Sequence, residues 1–250
     1  MEKFDAVLAC RVNGTRLYGK PLQLIDITNQ ITILENQVRH LKTAGSLNRI
    51  CLAISSEREN YGFIELAEKN KWEYVIGDPK DVLGRILTAA DKLGSTQVLR
   101  ATTENPFMIS DRIDRLYEQH TTGNYDYSMY SHLPEGAGFS LLKVDALRTS
   151  HKKGQERHRS ELVTSYIFDH KSDFRLNIQE IEKHLQRPDV RITVDYPEDL
   201  IFCRKVYHDL RGHERIIPIA EIVDYWDGNP GVRKIVENIG IDWGHGRIWA

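Results

Sequence analysis

Cysteine is scarce in this chain of 250 residues: three copies, Cys10, Cys51 and Cys203, lie far apart and fit no metal-ligand spacing. A disulfide framework and a cysteine-held metal are not organising principles here, and buried reduced thiols are the expectation. Long apolar runs are missing, and the mean hydropathy is −0.47, so no transmembrane helix is expected. The opening Met1-Glu2-Lys3-Phe4-Asp5 has no apolar signal core, from which a cytoplasmic location is expected. An excess of either charge is also missing, since 34 basic and 36 acidic side chains leave a net charge of −2. No global field draws the chain to nucleic acid or to a membrane surface, so recognition of an anion must be local. Internal repeats and low-complexity tracts are absent, as are the phosphate-loop pattern G-x-x-x-x-G-K-S/T and G-x-G-x-x-G.

What is present is alternation. Strands are expected over residues 4–9, 49–55, 73–76 and 97–101, with helices over 31–43, 60–69, 79–92 and 111–120. Such a β-α order predicts a mostly parallel sheet covered by helices on both faces, with a ligand site beyond the carboxyl ends of its strands. The alternation stops near residue 125, and 127–187 reads as an inserted lobe for an acceptor or a subunit contact, with a helix over about 160–169. Residues 191–207 return to the main pattern. A strand ends at Val194, then a helix starts near Pro197, which suits a first turn, with Glu198 and Asp199 at its positive end. Residues 219–250 read as a helical tail, and the whole chain as one domain.

The loop after the first strand, Cys10-Arg11-Val12-Asn13-Gly14-Thr15-Arg16-Leu17-Tyr18-Gly19-Lys20, carries three cations and no acid. Glycine lets such a backbone approach a ligand, and two guanidiniums with one ammonium suit a polyphosphate. A triphosphate calls for a divalent cation, which takes one or two carboxylates and fills its shell with phosphate and water oxygens. Glu104 and Asp195 each follow an expected strand end and stand close before a proline. As residue types they also suit a loop carboxylate and a helix cap, and 91 positions separate them.

The loop resembles the opening signature of cytidylyltransferases that make CMP-activated sugar acids, A-R-x-G-S-x-R-L-P-G-K, with Arg11, Arg16, Leu17, Gly19 and Lys20 in register. G-D-P-K-D-V-L-G-R (77–85), L-R-A-T-T-E-N-P-F (99–107), E-R-H-R-S-E-L-V-T-S-Y-I (156–167) and R-I-T-V-D-Y-P-E-D-L (191–200) follow in family order. Together they are most similar to the branch that includes the spore-coat polysaccharide protein F, over about residues 4 to 210. The resemblance implies a three-layer α/β/α sandwich of nucleotide-diphospho-sugar transferase type. It implies transfer of CMP from CTP to a small anionic acceptor such as a sugar acid, releasing pyrophosphate, with Mg²⁺ and in a homodimer. Arg11, Arg16 and Lys20 would hold the triphosphate, while Glu104 and Asp195 would bind the metal. Ala9, Cys10, Asn13, Gly14, Ser55, Asp81, Arg85 and Thr102 would surround the nucleotide. The loop at Glu135 and the basic group Arg157, His158 and Arg159 would meet the acceptor.

The match has departures. Asn13-Gly14 replaces Gly-Ser, Tyr18 stands where proline is usual, and Glu104 replaces an aspartate. Leu162 occupies the place of a histidine on the acceptor side. These leave two alternatives open: a phosphate or phosphonate monoester as acceptor, and a catalytically silent nucleotide-binding homologue. A glycosyltransferase of related fold is disfavoured, since D-x-D occurs nowhere.

Overall fold

A computed structural model describes residues 3–237 and 239. Its centre is β1 (Phe4–Cys10), whose side chains alternate between two apolar layers as a strand's period of two requires. Phe4, Ala6, Leu8 and Cys10 join one buried cluster, and Val7 joins the other. The next strand, β4 (Leu47–Ser55), repeats the division, with Ile50, Leu52 and Ile54 on the first side and Cys51 and Ala53 on the second. Strands buried on both faces need helices on both faces. The first face is covered by α1 (Ile33–Leu41), α2 (Tyr61–Asn70), α4 (Ile113–Thr122), α7 (Pro197–Asp209) and α8 (Ile219–Gly228); the second by α3 (Val82–Leu93), α5 (Val144–Lys153) and α6 (Ser165–Asp169). This is the three-layer α/β/α sandwich the resemblance implies.

The main sheet has seven strands in the order β5-β4-β1-β6-β8-β7-β9, the others being β5 (Glu73–Gly77), β6 (Gln97–Arg100), β7 (Tyr127–Ser131), β8 (Ser140–Lys143) and β9 (Leu176–Glu180). A separate two-stranded ribbon pairs β2 (Leu24–Asp26) with β3 (Ile31–Thr32). β1 lies parallel between β4 and β6, so the chain leaves it toward one side and later returns to the other. That reversal opens a crevice at the carboxyl ends of the strands.

Sequence alternation fails after residue 125 because β8 runs antiparallel to both neighbours, β6 and β7. The stretch expected as an inserted lobe does not build a sheet of its own: β7, β8 and β9 all belong to the main one. The helix expected over 160–169 is shorter, α6 starting only at Ser165, and residues 156–159 form a separate 3-10 turn. The first helix also starts later than expected. Thr32 caps it by accepting from the N–H of Glu35, and the Glu35 carboxylate accepts from the N–H of Thr32, so 31–32 stay extended. A short α9 (Pro230–Glu237) follows α8, and the aromatic end of the tail lies outside the described residues.

Candidate active site

Two glycines shape the loop after β1. Gly19 has φ 62°, the left-handed region, and its N–H donates to the Val12 carbonyl at 2.8 Å. A Cβ at Gly14 would stand 2.6 Å from the Leu17 carbonyl oxygen, so no side chain fits there. Asn60, fully buried, clamps the loop from outside: its Oδ1 accepts from the Val12 N–H at 2.8 Å and its Nδ2 donates to the Ser55 carbonyl at 3.0 Å. The sequence placed Asn60 only at a helix start. A buried amide next to a strand end is the signal that could have marked it.

Beside this loop lies a cavity of about 710 Å³, lined by Ala9, Arg11, Asn13, Gly14, Arg16, Lys20, Arg85, Thr102, Glu104 and Asp195 among others. The loop itself carries no acid, but the fold supplies acids from afar. Arg11 donates to Glu161 across 150 positions, while Lys20 Nζ donates to Asp195 Oδ1 at 2.5 Å. Arg16 lies 3.6 Å from the same oxygen and 5.1 Å from the centre of the Tyr196 ring. Each loop cation therefore has a partner that an incoming anion can replace. Arg85 is buried against the Ala53, Asp78 and Pro79 carbonyls, and it forms no ion pair among the described residues.

The two carboxylates separated in sequence meet here. The Val194 N–H donates to the Glu104 carbonyl at 3.2 Å, which sets the two segments side by side. The turn carrying Glu104 is pinned from α1, with Gln37 donating to the Thr102 carbonyl at 2.7 Å and Asn36 to that of Pro106 at 2.8 Å. Thr103 adds a bond to the Ala9 carbonyl, tying the turn to β1. Burial raises the Glu104 carboxyl above its ordinary range, and the Asp195 charge adds to this; Lys20 and Arg100 pull the other way. Asp195 shifts in the opposite direction. Burial would raise it, but its hydrogen bond from Lys20 and the charges of Lys20, Arg16 and Arg191 hold it low. Arg191 is itself locked by Asp199 at 2.8 and 2.9 Å, and Asp199 accepts from the Asp195 and Tyr196 N–H groups. Asp195 is thus held from behind and presented to the cavity.

Two carboxylates on the wall of one cation-lined cavity are a donor set for a hard divalent ion that takes its remaining ligands from phosphate and water. Among the described residues no group of three or more His, Cys, Asp or Glu surrounds such a position, so the set does not form a closed structural metal site.

A second cavity of about 320 Å³ adjoins the first along Arg100, Ala101 and Thr102. Its walls are largely aromatic and aliphatic, with Tyr127, Met129, Tyr130, Leu133 and Phe139, and Glu135 at one side. Glu135 lines this cavity, and its Oε1 accepts from Arg191 at 2.7 Å. Arg100 and Glu161, which line the first cavity, were not singled out from the sequence. A cation closing an apolar strand was the available signal for Arg100. Glu161 had none, because its partner is 150 positions away.

Several expected residues are not brought to either cavity. Cys10 and Ser55 are buried, and Ser55 donates to Glu57. Asp81 caps α3, accepting from the Gly84 N–H at 2.6 Å, and also meets His151. The basic group at 157–159 turns to the protein itself. Arg157 and His158 share Asp169 at 2.7 and 3.0 Å, His158 is buried, and Arg159 donates to the His151 carbonyl. Arg157 and His158 are thereby engaged with Asp169, and none of the three basic residues lines either cavity.

A family model described as cytidylyltransferase matches residues 6–221. The spore coat polysaccharide biosynthesis protein SpsF of Bacillus subtilis is 23% identical over 226 residues, covering 90% of this chain and 94% of that protein. A cytidylyltransferase of Leptospira borgpetersenii superposes with a TM-score of 0.81 at 18% identity, covering 93% of this chain and 96% of the other. A CMP:2-keto-3-deoxy-manno-octonic acid synthetase complexed with CTP gives 0.63 at 10% identity, covering 84% and 100%.

Proposed function

This chain belongs to the cytidylyltransferase family, and on that premise we propose that it transfers CMP from CTP to a small anionic acceptor, with Mg²⁺ and release of pyrophosphate. The observation that carries the reading is the convergence of Arg11, Arg16 and Lys20 with Glu104 and Asp195 on one cavity. The adjoining cavity is the place for the acceptor. An acceptor lying there has its reactive oxygen at the seam formed by Arg100, Ala101 and Thr102. The SpsF relative and the sugar-acid synthetase support an acceptor used for a surface polysaccharide.

In the reaction an acceptor hydroxyl oxygen gives up its proton to water and forms a bond to the α-phosphorus while the bond from that phosphorus to the bridging oxygen breaks. The electron pair leaves with pyrophosphate. Lys20 and Arg16 exchange Asp195 for phosphate oxygens, and Arg11 exchanges Glu161, so charge on the departing group is met without new cations having to be ordered. Glu104 and Asp195 would hold Mg²⁺, which when bound supplies charge for the phosphate oxygens and acts as a Lewis acid. The remaining task of the protein is alignment, in which the pinned Thr102–Asn105 turn and the Arg191–Asp199 pair keep both carboxylates in place. No covalent enzyme intermediate is needed. In keeping with the resemblance, the working unit is a homodimer in the cytoplasm; sedimentation at the monomer mass would overturn the first of these.

The test is pyrophosphate release with CTP, Mg²⁺ and a panel of sugar acids. Release with at least one acid, and with CTP above other nucleotides, supports the reading. CTP bound but never turned over by any anionic acceptor would favour the silent homologue.

A further inference from the structure

Arg191 is a buried cation shared by Glu135, Asp195 and Asp199. Its side chain is 6% exposed, and that of Asp199 is fully buried. Nε and Nη2 donate to the two Asp199 oxygens at 2.8 and 2.9 Å, and Nη1 donates to Glu135 Oε1 at 2.7 Å. Asp195 is left with the longest of these bonds, 3.3 Å from an Nη2 already given to Asp199. Its Oδ2 is therefore backed by Arg191 but only loosely held. The other oxygen, Oδ1, faces Lys20 and Arg16, the cations that the reaction above hands to phosphate.

Glu135 is fixed where it stands. Its N–H donates to the Val190 carbonyl at 2.8 Å, and its own carbonyl accepts from the Ile192 N–H at 2.9 Å. The two segments pair in parallel at Glu135 and Arg191. At Gly136, with φ 98°, a Cβ would stand 2.7 Å from the Thr193 nitrogen, so the two backbones approach as closely as only glycine permits. Glu135 thus lines the second cavity while gripping the segment that delivers Asp195 to the first.

Resting on the metal position assigned to Asp195 above, we propose that Glu135 is a positioning residue that acts through Arg191. By occupying Nη1, it draws the guanidinium off Asp195 and leaves that carboxylate free for the divalent cation. A guanidinium with an empty Nη1 has only the two aspartates to answer its charge, and Asp195 then closes on it. The wall of the second cavity in this way sets the metal position of the first. Glu135→Gln keeps the length of the side chain and removes its charge. Glu135→Asp keeps the charge but falls one methylene short of Arg191, and a backbone pinned on both sides cannot follow.

The experiment measures the CTP Kd of the full-length protein by calorimetry, in Mg²⁺ and in EDTA. The wild type should bind more tightly with Mg²⁺. Glu135→Gln and Glu135→Asp should each weaken CTP by about tenfold or more in Mg²⁺, with the Kd in EDTA within about twofold of wild type. In an Arg191→Met background, Glu135→Gln should add less than about twofold, because no guanidinium is left to draw off. If Arg191→Met fails to fold, Glu135→Asp still separates contact from charge. Wild-type behaviour of Glu135→Asp beside a defective Glu135→Gln would mean that charge alone counts, which overturns the proposal. So does an equal loss in Mg²⁺ and in EDTA, which would give Glu135 to the nucleotide pocket, and so does a loss that persists in full without Arg191. A wild type indifferent to Mg²⁺, or a Glu135→Gln variant as responsive to it as wild type, overturns the proposal too. Failure of the wild type to bind CTP at all sinks the nucleotidyl reading instead. Mn²⁺ binding to the nucleotide-free protein, followed by electron paramagnetic resonance, then decides on Glu135. Mn²⁺ held by the wild type and lost in Glu135→Gln upholds its role; Mn²⁺ held by both or by neither overturns it.

Discussion

The two ends of β1 handle charge in opposite ways. At the amino end, Asp5 is buried and takes two hydrogen bonds from Arg49, at 3.0 and 2.9 Å, and one from Ser95 at 2.5 Å. That group is closed, and it knits β1 to β4 and to the turn before β6. At the carboxyl end, a few residues on, Arg11, Arg16 and Lys20 hold carboxylates that line an open cavity. The Asp5 carboxylate at the first end is buried against its partners, whereas the cations at the second can trade a carboxylate for a phosphate. The difference teaches that charged residues in a strand's surroundings are read by what their partners face, not by their number.

The sharpest way to break this comparison is at Asp195. Asp195→Asn, and Glu104→Gln beside it, should each lower kcat/KM by at least about 10³-fold while circular dichroism stays unchanged. Full activity in either variant removes that carboxylate from the metal position. Lys20→Ala should cost about 10²-fold in turnover, read by pyrophosphate release. The amino end should behave in reverse. Asp5→Asn should lower unfolding stability by about 2 kcal/mol in urea titrations, with Arg49 partly exposed to soften the loss, and leave the CTP Kd alone.

Acid titration of the nucleotide-free protein separates the two rim carboxylates. Glu104 titrates higher in the folded state than its ordinary 4.5, so the folded state binds the extra proton. Its contribution should therefore fade as pH rises from 4.5 through the folded value, and Glu104→Gln should remove that decline. Asp195 titrates below its ordinary 3.8, so its contribution is present above 3.8 and lost as pH falls through the folded value. Unfolding midpoints measured across the acidic range should show both slopes, and matching profiles for the two variants would refute the assignment. The smallest effect is expected from Arg157→Ala with Arg159→Ala, below about 1 kcal/mol in stability, with acceptor KM unchanged.

Much of the layout is legible in local pattern. β1 announces itself as an apolar run, and the loop cations sit where a parallel sheet presents its ligands. Glu104 and Asp195 were found by the same rule, each just past a strand-like segment, although only the fold joins them. What stayed hidden depends on partners distant in the chain. The antiparallel β8 is four residues long and gives too little periodicity to reveal its direction. The 157–159 group looked free because Asp169 is a helix away, and Ser55 looked open because strand ends do not tell which way a hydroxyl turns. Arg100 was overlooked because its meaning comes from belonging to two cavities at once.

Triphosphate binding at the loop after β1 is measured by calorimetric titration of CTP with Mg²⁺ into the wild type and into Lys20→Ala, with ATP, GTP and UTP as controls. Binding should prefer CTP, require Mg²⁺ and weaken when Lys20 is removed. Failure of CTP to bind at millimolar concentration, or binding indifferent to Lys20, would contradict a triphosphate site there.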